Sequence, residues 1–181
     1  MQSPDAFQNT ITFRLLTEAD VPMMHDWLNR AHLRQHYQPL PISLEDVAAK
    51  FAPRLEYSGR TYCHIALLAG VPFAYVQCYK NADYPDYSAE IVLQDGISLD
   101  LFIADEALRG QGLGPQLLQA YLRAVVFELF PDETCCYICH KLDNPQALRA
   151  SQKAGFTVLR DVIEAEAPAR LLVFDKTRGF C

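Results

Sequence analysis

Three glycines within five residues, in Arg109-Gly110-Gln111-Gly112-Leu113-Gly114, are the part of this chain best suited to chemistry. Without side chains in the way, successive backbone N–H groups can converge on one point, and an apolar helical pattern comes next, which puts those amides at the positive end of a helix. Such a place binds phosphate. The Gly-x-Gly-x-Gly spacing departs from the Gly-x-Gly-x-x-Gly fingerprint of dinucleotide folds, and no Lys-Ser or Lys-Thr follows to make a triphosphate loop. The competing reading is a glycine-rich turn that only starts a helix.

A second chemical residue precedes the loop. Asp100 stands in the middle of Ile97-Ser98-Leu99-Asp100-Leu101-Phe102-Ile103, where alternation puts it on the face of Ser98 and Phe102, opposite Leu99, Leu101 and Ile103. A carboxylate in such a strand needs a partner. The six cysteines, Cys63, Cys78, Cys135, Cys136, Cys139 and Cys181, sit mostly in apolar stretches and read as reduced core thiols. Cys136-x-x-Cys139 followed by His140 has metal-like spacing, but residues three apart on a strand face opposite ways and no second pair exists, so no metal is expected. His140 is expected to point away from the site, and His25, His32, His36 and His64 have no ligand spacing.

These residues must be held by regular elements. Thr10–Leu16 reads as a strand, Thr17 with Asp20 as a capping box opening a helix that carries Val21, Met24, Trp27 and Leu28, and Ser43 with Asp46 as the cap of a second helix to about Phe51. Thr61–Leu68 and Val71–Tyr79, joined by Ala69-Gly70, form a hairpin, and residues 81–87 form a loop. After the strand Ile97–Ala104 and the glycine loop, Leu113, Leu117, Leu118, Tyr121, Leu122, Val125 and Leu129 mark a long helix. The strand Cys135–His140, a helix Asn144–Lys153 with Ala147 and Leu148 inward, and the strands Phe156–Ile163 and Arg170–Phe174 complete the order β-α-α-β-β-β-α-β-α-β-β.

The chain has 181 residues, is 50% apolar and carries 22 acidic against 16 basic side chains, so one globular domain, residues 1–181, with a net charge of −6 is expected. That balance argues against a nucleic-acid partner and favours a cationic small molecule. No run of about 18 apolar residues occurs and Met1–Asn9 lacks the pattern of a signal peptide, which reads as a cytoplasmic protein with no membrane partner. Whether it is a monomer or a homodimer stays open.

The loop Arg109–Gly114 resembles the (Gln/Arg)-x-x-Gly-x-(Gly/Ala) loop of the GCN5-related N-acetyltransferases (GNAT), and Asn144-Pro145-Gln146-Ala147 through Lys153-Ala154-Gly155-Phe156 resembles that family's following Asn-x-x-Ala helix ending in Gly-Phe. Phe13–Asp20, Trp27-Leu28-Asn29-Arg30 and Leu99-Asp100 are similar to the bacterial aminoglycoside 6'-N-acetyltransferases. The likeness implies the α/β acyl-CoA N-acyltransferase fold, a central mixed, mostly antiparallel sheet splayed between strands 4 and 5 and flanked by helices. It implies an acetyltransferase in which an amine attacks acetyl-CoA directly in a ternary complex, with acetyl-CoA as co-substrate. The first choice of acceptor is an aminoglycoside at its 6'-amine; the alternatives are another amine or hydroxylamine such as a siderophore precursor, and a catalytically weak acyl-CoA-binding regulator.

The resemblance also implies site residues. Arg109, Gly110, Gln111, Gly112, Leu113 and Gly114 would hold the pyrophosphate; the main chain of Leu101, Phe102 and Ile103 would pair with the pantetheine arm; Asn144 would touch that arm or start its helix. Asp100 would bind the reacting amine and take its proton, because an ammonium cannot attack. Asp83, Asp86, Glu90, Asp95, Glu164 and Glu166 flank the acceptor mouth, with Asp86 and Glu166 chosen as substrate contacts and Tyr87 as an aromatic wall. The sequence departs from the pattern twice: Ser151 stands where many relatives carry a tyrosine able to protonate the departing thiolate, and Cys139 stands where the aminoglycoside enzymes place a drug-binding aspartate. Ser151 is therefore the candidate acid, and a weak one.

Overall fold

The computed structural model describes residues 10–57 and 59–179. The expectations for Met1–Asn9 and Cys181 lie outside the described residues. In order, the elements are β1 (Ile11–Leu15), α1 (Val21–Leu28), α2 (Ala31–His36), α3 (Leu44–Phe51), β2 (Thr61–Leu68), β3 (Val71–Lys80), α4 (Pro85–Glu90), β4 (Ile97–Ile103), α5 (Leu113–Tyr121), α6 (Phe127–Leu129), β5 (Cys135–Lys141), α7 (Pro145–Lys153), β6 (Thr157–Glu164) and β7 (Ala167–Asp175). The strands form one sheet in the order β1-β2-β3-β4-β5-β7-β6, in which β4 and β5 are the parallel pair. This is the mixed, mostly antiparallel sheet expected. Among the described residues, no helix is long and apolar enough to cross a membrane.

The described residues divide into two compact units, one taking those up to Gln77 with Leu101–Leu108, the other Cys78–Asp100 with those from Arg109 to Gly179. In the first, Thr17 and Asp20 make the capping box, and Asp20 also takes a two-pronged ion pair from Arg14 at 2.7 Å, which fixes the entry into α1. Met24, Trp27 and Leu28 of α1 and Val47 and Phe51 of α3 then bury against Cys63, Ile65 and Tyr75. Phe102 completes this core, stacked on Tyr75 at 5.4 Å and edge-on to Tyr37 at 4.7 Å.

In the second unit, β7 lies between β5 and β6, antiparallel to both, and Leu171, Leu172 and Phe174 are buried. The apolar stripe of the long helix holds through Leu117, Leu118, Tyr121 and Leu122, but a π-helical turn at Leu122–Val126 adds one residue and rotates the last turn of the helix. Val126 and Phe127 are thereby buried, whereas Leu129 is 36% exposed.

Two elements escaped the sequence pattern. Ala31–His36 is a helix, and residues 81–87, expected to be a loop, contain a 3-10 turn and the start of α4, which Pro85 opens at its first turn. In α7 the buried residue is Ser151, while Ala147 and Leu148 are only half-buried.

Candidate active site

Parallel pairing of β4 with β5 is confined to Ile97–Cys136 and Ser98–Tyr137, although β5 continues, paired to β7, as far as Lys141. Beyond Ser98 the two strands part, as the splay between strands 4 and 5 requires. Asp100 is two residues past the last pair.

The glycine loop is built from two different glycine properties. Gly110 and Gly112 have φ of +77° and +80°, and an added Cβ would meet nothing within 4 Å at either, so the demand there is on the backbone. At Gly114 the question is space, since an added Cβ would come 3.3 Å from the Cβ of Ala150, close enough to ask a few tenths of an ångström of give where the start of α5 lies against α7. Gly112 is the residue before α5 and no side chain caps that end, so the amides of Leu113 and Gly114 remain available to an anion. Arg109 donates to Oε1 of Gln146 at 3.3 Å, tying the loop to the first turn of α7. Asn144 caps α7 by accepting from the Ala147 N–H at 3.2 Å, which is the helix-starting role of its two expected ones.

Of the strand that continues from Asp100, Leu101 and Ile103 are half-buried, and Phe102 spends its ring in the core. The Ile103 carbonyl faces Nε2 of His32 at 3.2 Å.

Around Asp100 the fold gathers tyrosines and a second carboxylate. The Tyr79 hydroxyl donates to Oδ2 of Asp100 at 3.4 Å, and the Tyr79 ring stands edge-on to Tyr84 and Tyr87 with centroids 5.0 and 6.0 Å away. The Tyr87 hydroxyl donates to Oε1 of Glu164 at 2.8 Å. Burial pushes the Glu164 carboxyl above the ordinary range; the Tyr87 hydrogen bond opposes this, and the Asp100 charge adds to it. Burial first, and then the nearby carboxylates of Glu164 and Asp100, also push the Cys139 thiol well up, so Cys139 stays a neutral thiol and no nucleophile. Burial does the same to the phenols of Tyr79 and Tyr87, which stay protonated.

Tyr87 thus faces inward from α4, while Asp86 beside it and Glu166 in the β6–β7 turn are exposed. Ala165 and Glu166 both have positive φ in that turn, and the Ala165 N–H is taken by the Glu90 carboxylate. Glu164 and Tyr79 are the residues that sequence reasoning undervalued. Parity along β6 does group Glu164 with the half-buried Arg160 and Val162, but the meeting of Tyr79 with Asp100 depends on how β3 sits beside β4, which no local pattern encodes.

Ser151 is fully buried and its Oγ lies 2.8 Å from Nε2 of His140. His140 is therefore turned toward α7, and burial lowers its pKa to about 4, keeping the imidazole neutral near pH 7. Among the described residues, no group of three or more His, Cys, Asp or Glu side chains could hold a metal ion.

Residues 17–163 match the family model described as the Acetyltransferase (GNAT) domain. The aminoglycoside N(6')-acetyltransferase type 1 of Serratia marcescens is 29% identical over 180 residues, covering 95% of this chain and 89% of that protein; that of Klebsiella pneumoniae is also 29% identical, covering 94% and 88%. The crystal structure of AAC(6')-Ib with coenzyme A and kanamycin superposes with a TM-score of 0.79 at 27% identity, over 93% of this chain and 96% of that one. AAC(6')-Ib11 is 30% identical with a TM-score of 0.75, over 93% and 98%. With its parted β4 and β5, its glycine-built helix start and a domain match running through both, the chain belongs to the GNAT family of acetyltransferases.

Proposed function

We propose that this protein transfers the acetyl group of acetyl-CoA to the 6'-amine of an aminoglycoside by direct attack in a ternary complex. The observation that carries the reading is Asp100, held by Tyr79 where β4 leaves β5, with a second carboxylate, Glu164, close enough that the Asp100 charge disfavours the ionisation of Glu164. Two acids sharing a half-buried site repel one another, and a polycationic acceptor relieves both at once. The names of the relatives, aminoglycoside 6'-acetyltransferases, agree with that acceptor.

The chain's own residues divide the work. The amides of Gly110 to Gly114 would hold the diphosphate, since the loop offers bare backbone, positive φ and an uncapped helix start. Arg109 and Gln111 flank those amides, Asn144 keeps α7 in place, and the main chain of Leu101, Phe102 and Ile103 would run along the pantetheine arm. Asp100 would hold the incoming ammonium and take its proton, freeing the lone pair for the thioester carbon. Glu164 and Tyr87 would hold a second ammonium group, with Asp86 and Glu166 attracting the drug from the rim. We read the enzyme as cytoplasmic, which suits the free thiols of Cys63, Cys78, Cys135, Cys136 and Cys139.

The test is thiol release from acetyl-CoA over a panel of aminoglycosides, linear polyamines and hydroxylated lysines, with the product mapped by mass spectrometry and NMR. The proposal predicts turnover with aminoglycosides and a single acetyl on the 6'-nitrogen. Turnover confined to hydroxylated lysines, or coenzyme A binding with no thiol release, would overturn it.

A further inference from the structure

The sulfur side of the reaction has a protein group that the sequence pattern did not single out. Cys136, Ile138 and His140 form one row on β5, the first two 0% and 2% exposed, and His140 extends that row three residues past Tyr137, the last β5 residue in register with β4. Its ring therefore stands where the strands have parted. Nε2 of His140 lies 2.8 Å from Oγ of Ser151, which is fully buried and cannot meet a ligand itself. Nδ1 is the open edge: among the described residues it has no hydrogen-bond partner, and it is not one of the sealed, unsatisfied nitrogens. Ser151 is next to Ala150, the residue against which Gly114 is fitted, so the imidazole, its serine and the glycine loop belong to one neighbourhood.

We infer that the Ser151 hydroxyl donates a hydrogen bond to Nε2 of His140, fixing the tautomer with hydrogen on Nδ1, and that this N–H stabilises the sulfur of the thioester as it departs. His140 would be the catalytic residue on that side and Ser151 its positioning residue, an inference that rests on the acetyl transfer proposed for this site. The step balances without an acid. Asp100 passes the first proton, taken from the ammonium, to water before the attack; the amine nitrogen then forms the C–N bond and gives its second proton to Asp100, and the C–S bond breaks with its electron pair going to sulfur. His140 keeps its proton and offers only a hydrogen bond, and the thiolate takes a proton from water on release. An imidazole that burial keeps neutral is suited to this, because it holds one N–H in a fixed direction across the working pH range.

The experiment compares two acetyl donors, acetyl-CoA and the acetyl thioester of a more acidic aryl thiol, in the wild type, His140→Ala, Ser151→Ala and Ser151→Thr, with rates corrected for the uncatalysed reaction. A donor hydrogen bond to developing charge is worth about 10²–10³ in kcat, so His140→Ala should lose about that factor with acetyl-CoA while its affinity for coenzyme A holds. With the aryl thioester, whose thiolate needs less help, the loss should shrink to below about tenfold. Ser151→Ala should show a smaller loss with the same donor dependence, and Ser151→Thr should recover it. An equal loss with both donors, or none, would overturn the inference; if His140→Ala does not fold, the two Ser151 variants decide on the same comparison. Failure of the underlying acetyl transfer would read differently, as a wild type that turns over no amine with either donor.

Discussion

Gly112→Ala changes one hydrogen for a methyl group at the residue that opens α5. Because φ is +80° there and no atom lies within 4 Å of the added carbon, the whole effect is conformational. A left-handed backbone costs an L-residue about 1–2 kcal/mol. If the loop relaxes to escape that cost, its amides turn away from a common point, and bound coenzyme A has to restore them, so Kd should rise about 5–30-fold. Gly114→Ala is the internal control, since only a few tenths of an ångström of give against Ala150 are needed and a helical alanine gains up to about 1 kcal/mol over glycine. Its affinity should stay near wild type. Calorimetric titration with coenzyme A and with S-acetylpantetheine, which lacks the diphosphate, separates a phosphate loop from a general defect. Wild-type affinity for coenzyme A in Gly112→Ala, or an equal loss for both ligands, would refute the reasoning.

Asp100→Asn should lower kcat by about 10²–10⁴ with coenzyme A affinity unchanged in titration, as expected when a base is removed. Glu164→Gln should weaken aminoglycoside binding yet raise Tm without ligand: burial has lifted the Glu164 pKa, so folding is favoured below that pKa and disfavoured as pH rises through it, and the uncharged amide removes the cost at about 2–4 °C per kcal/mol. His64 and His140 are both lowered to about 4 by burial, so they bind protons in the unfolded chain but not in the fold between about pH 6.5 and pH 4. Stability should fall as pH is lowered across that window by up to about 3 kcal/mol for each histidine, and His64→Gln should flatten the slope measured by urea unfolding.

Much of this was legible because the signals are local. Thr17 with Asp20, Ser43 with Asp46, and the glycines before Leu113 each fix a helix start within four or five residues of chain, and they stand where sequence puts them. An acid in the apolar run Ile97–Ile103 likewise marked Asp100, although burial along β4 does not alternate: Phe102, on the face expected for Asp100, is buried, and Leu101 and Ile103 are only half-buried. The features that were not legible depend on distant chain. Tyr87 faces Glu164 across 77 residues, and Glu166, only two positions further along, stands exposed in a turn of left-handed residues. His140 turns inward because α7 brings Ser151 to it, whereas a strand rule alone says only which face it occupies. The π-helical turn shifted the helix stripe by one residue, a change that a strictly periodic reading cannot contain.

The most direct test of the account is a crystal structure of the protein with coenzyme A and an aminoglycoside bound together. The account predicts the diphosphate on the amides of Gly110 to Gly114 and the 6'-nitrogen within hydrogen-bond reach, about 3 Å, of the Asp100 carboxylate. A diphosphate seated elsewhere, or a drug amine presented to other groups with Asp100 left facing solvent, would contradict it.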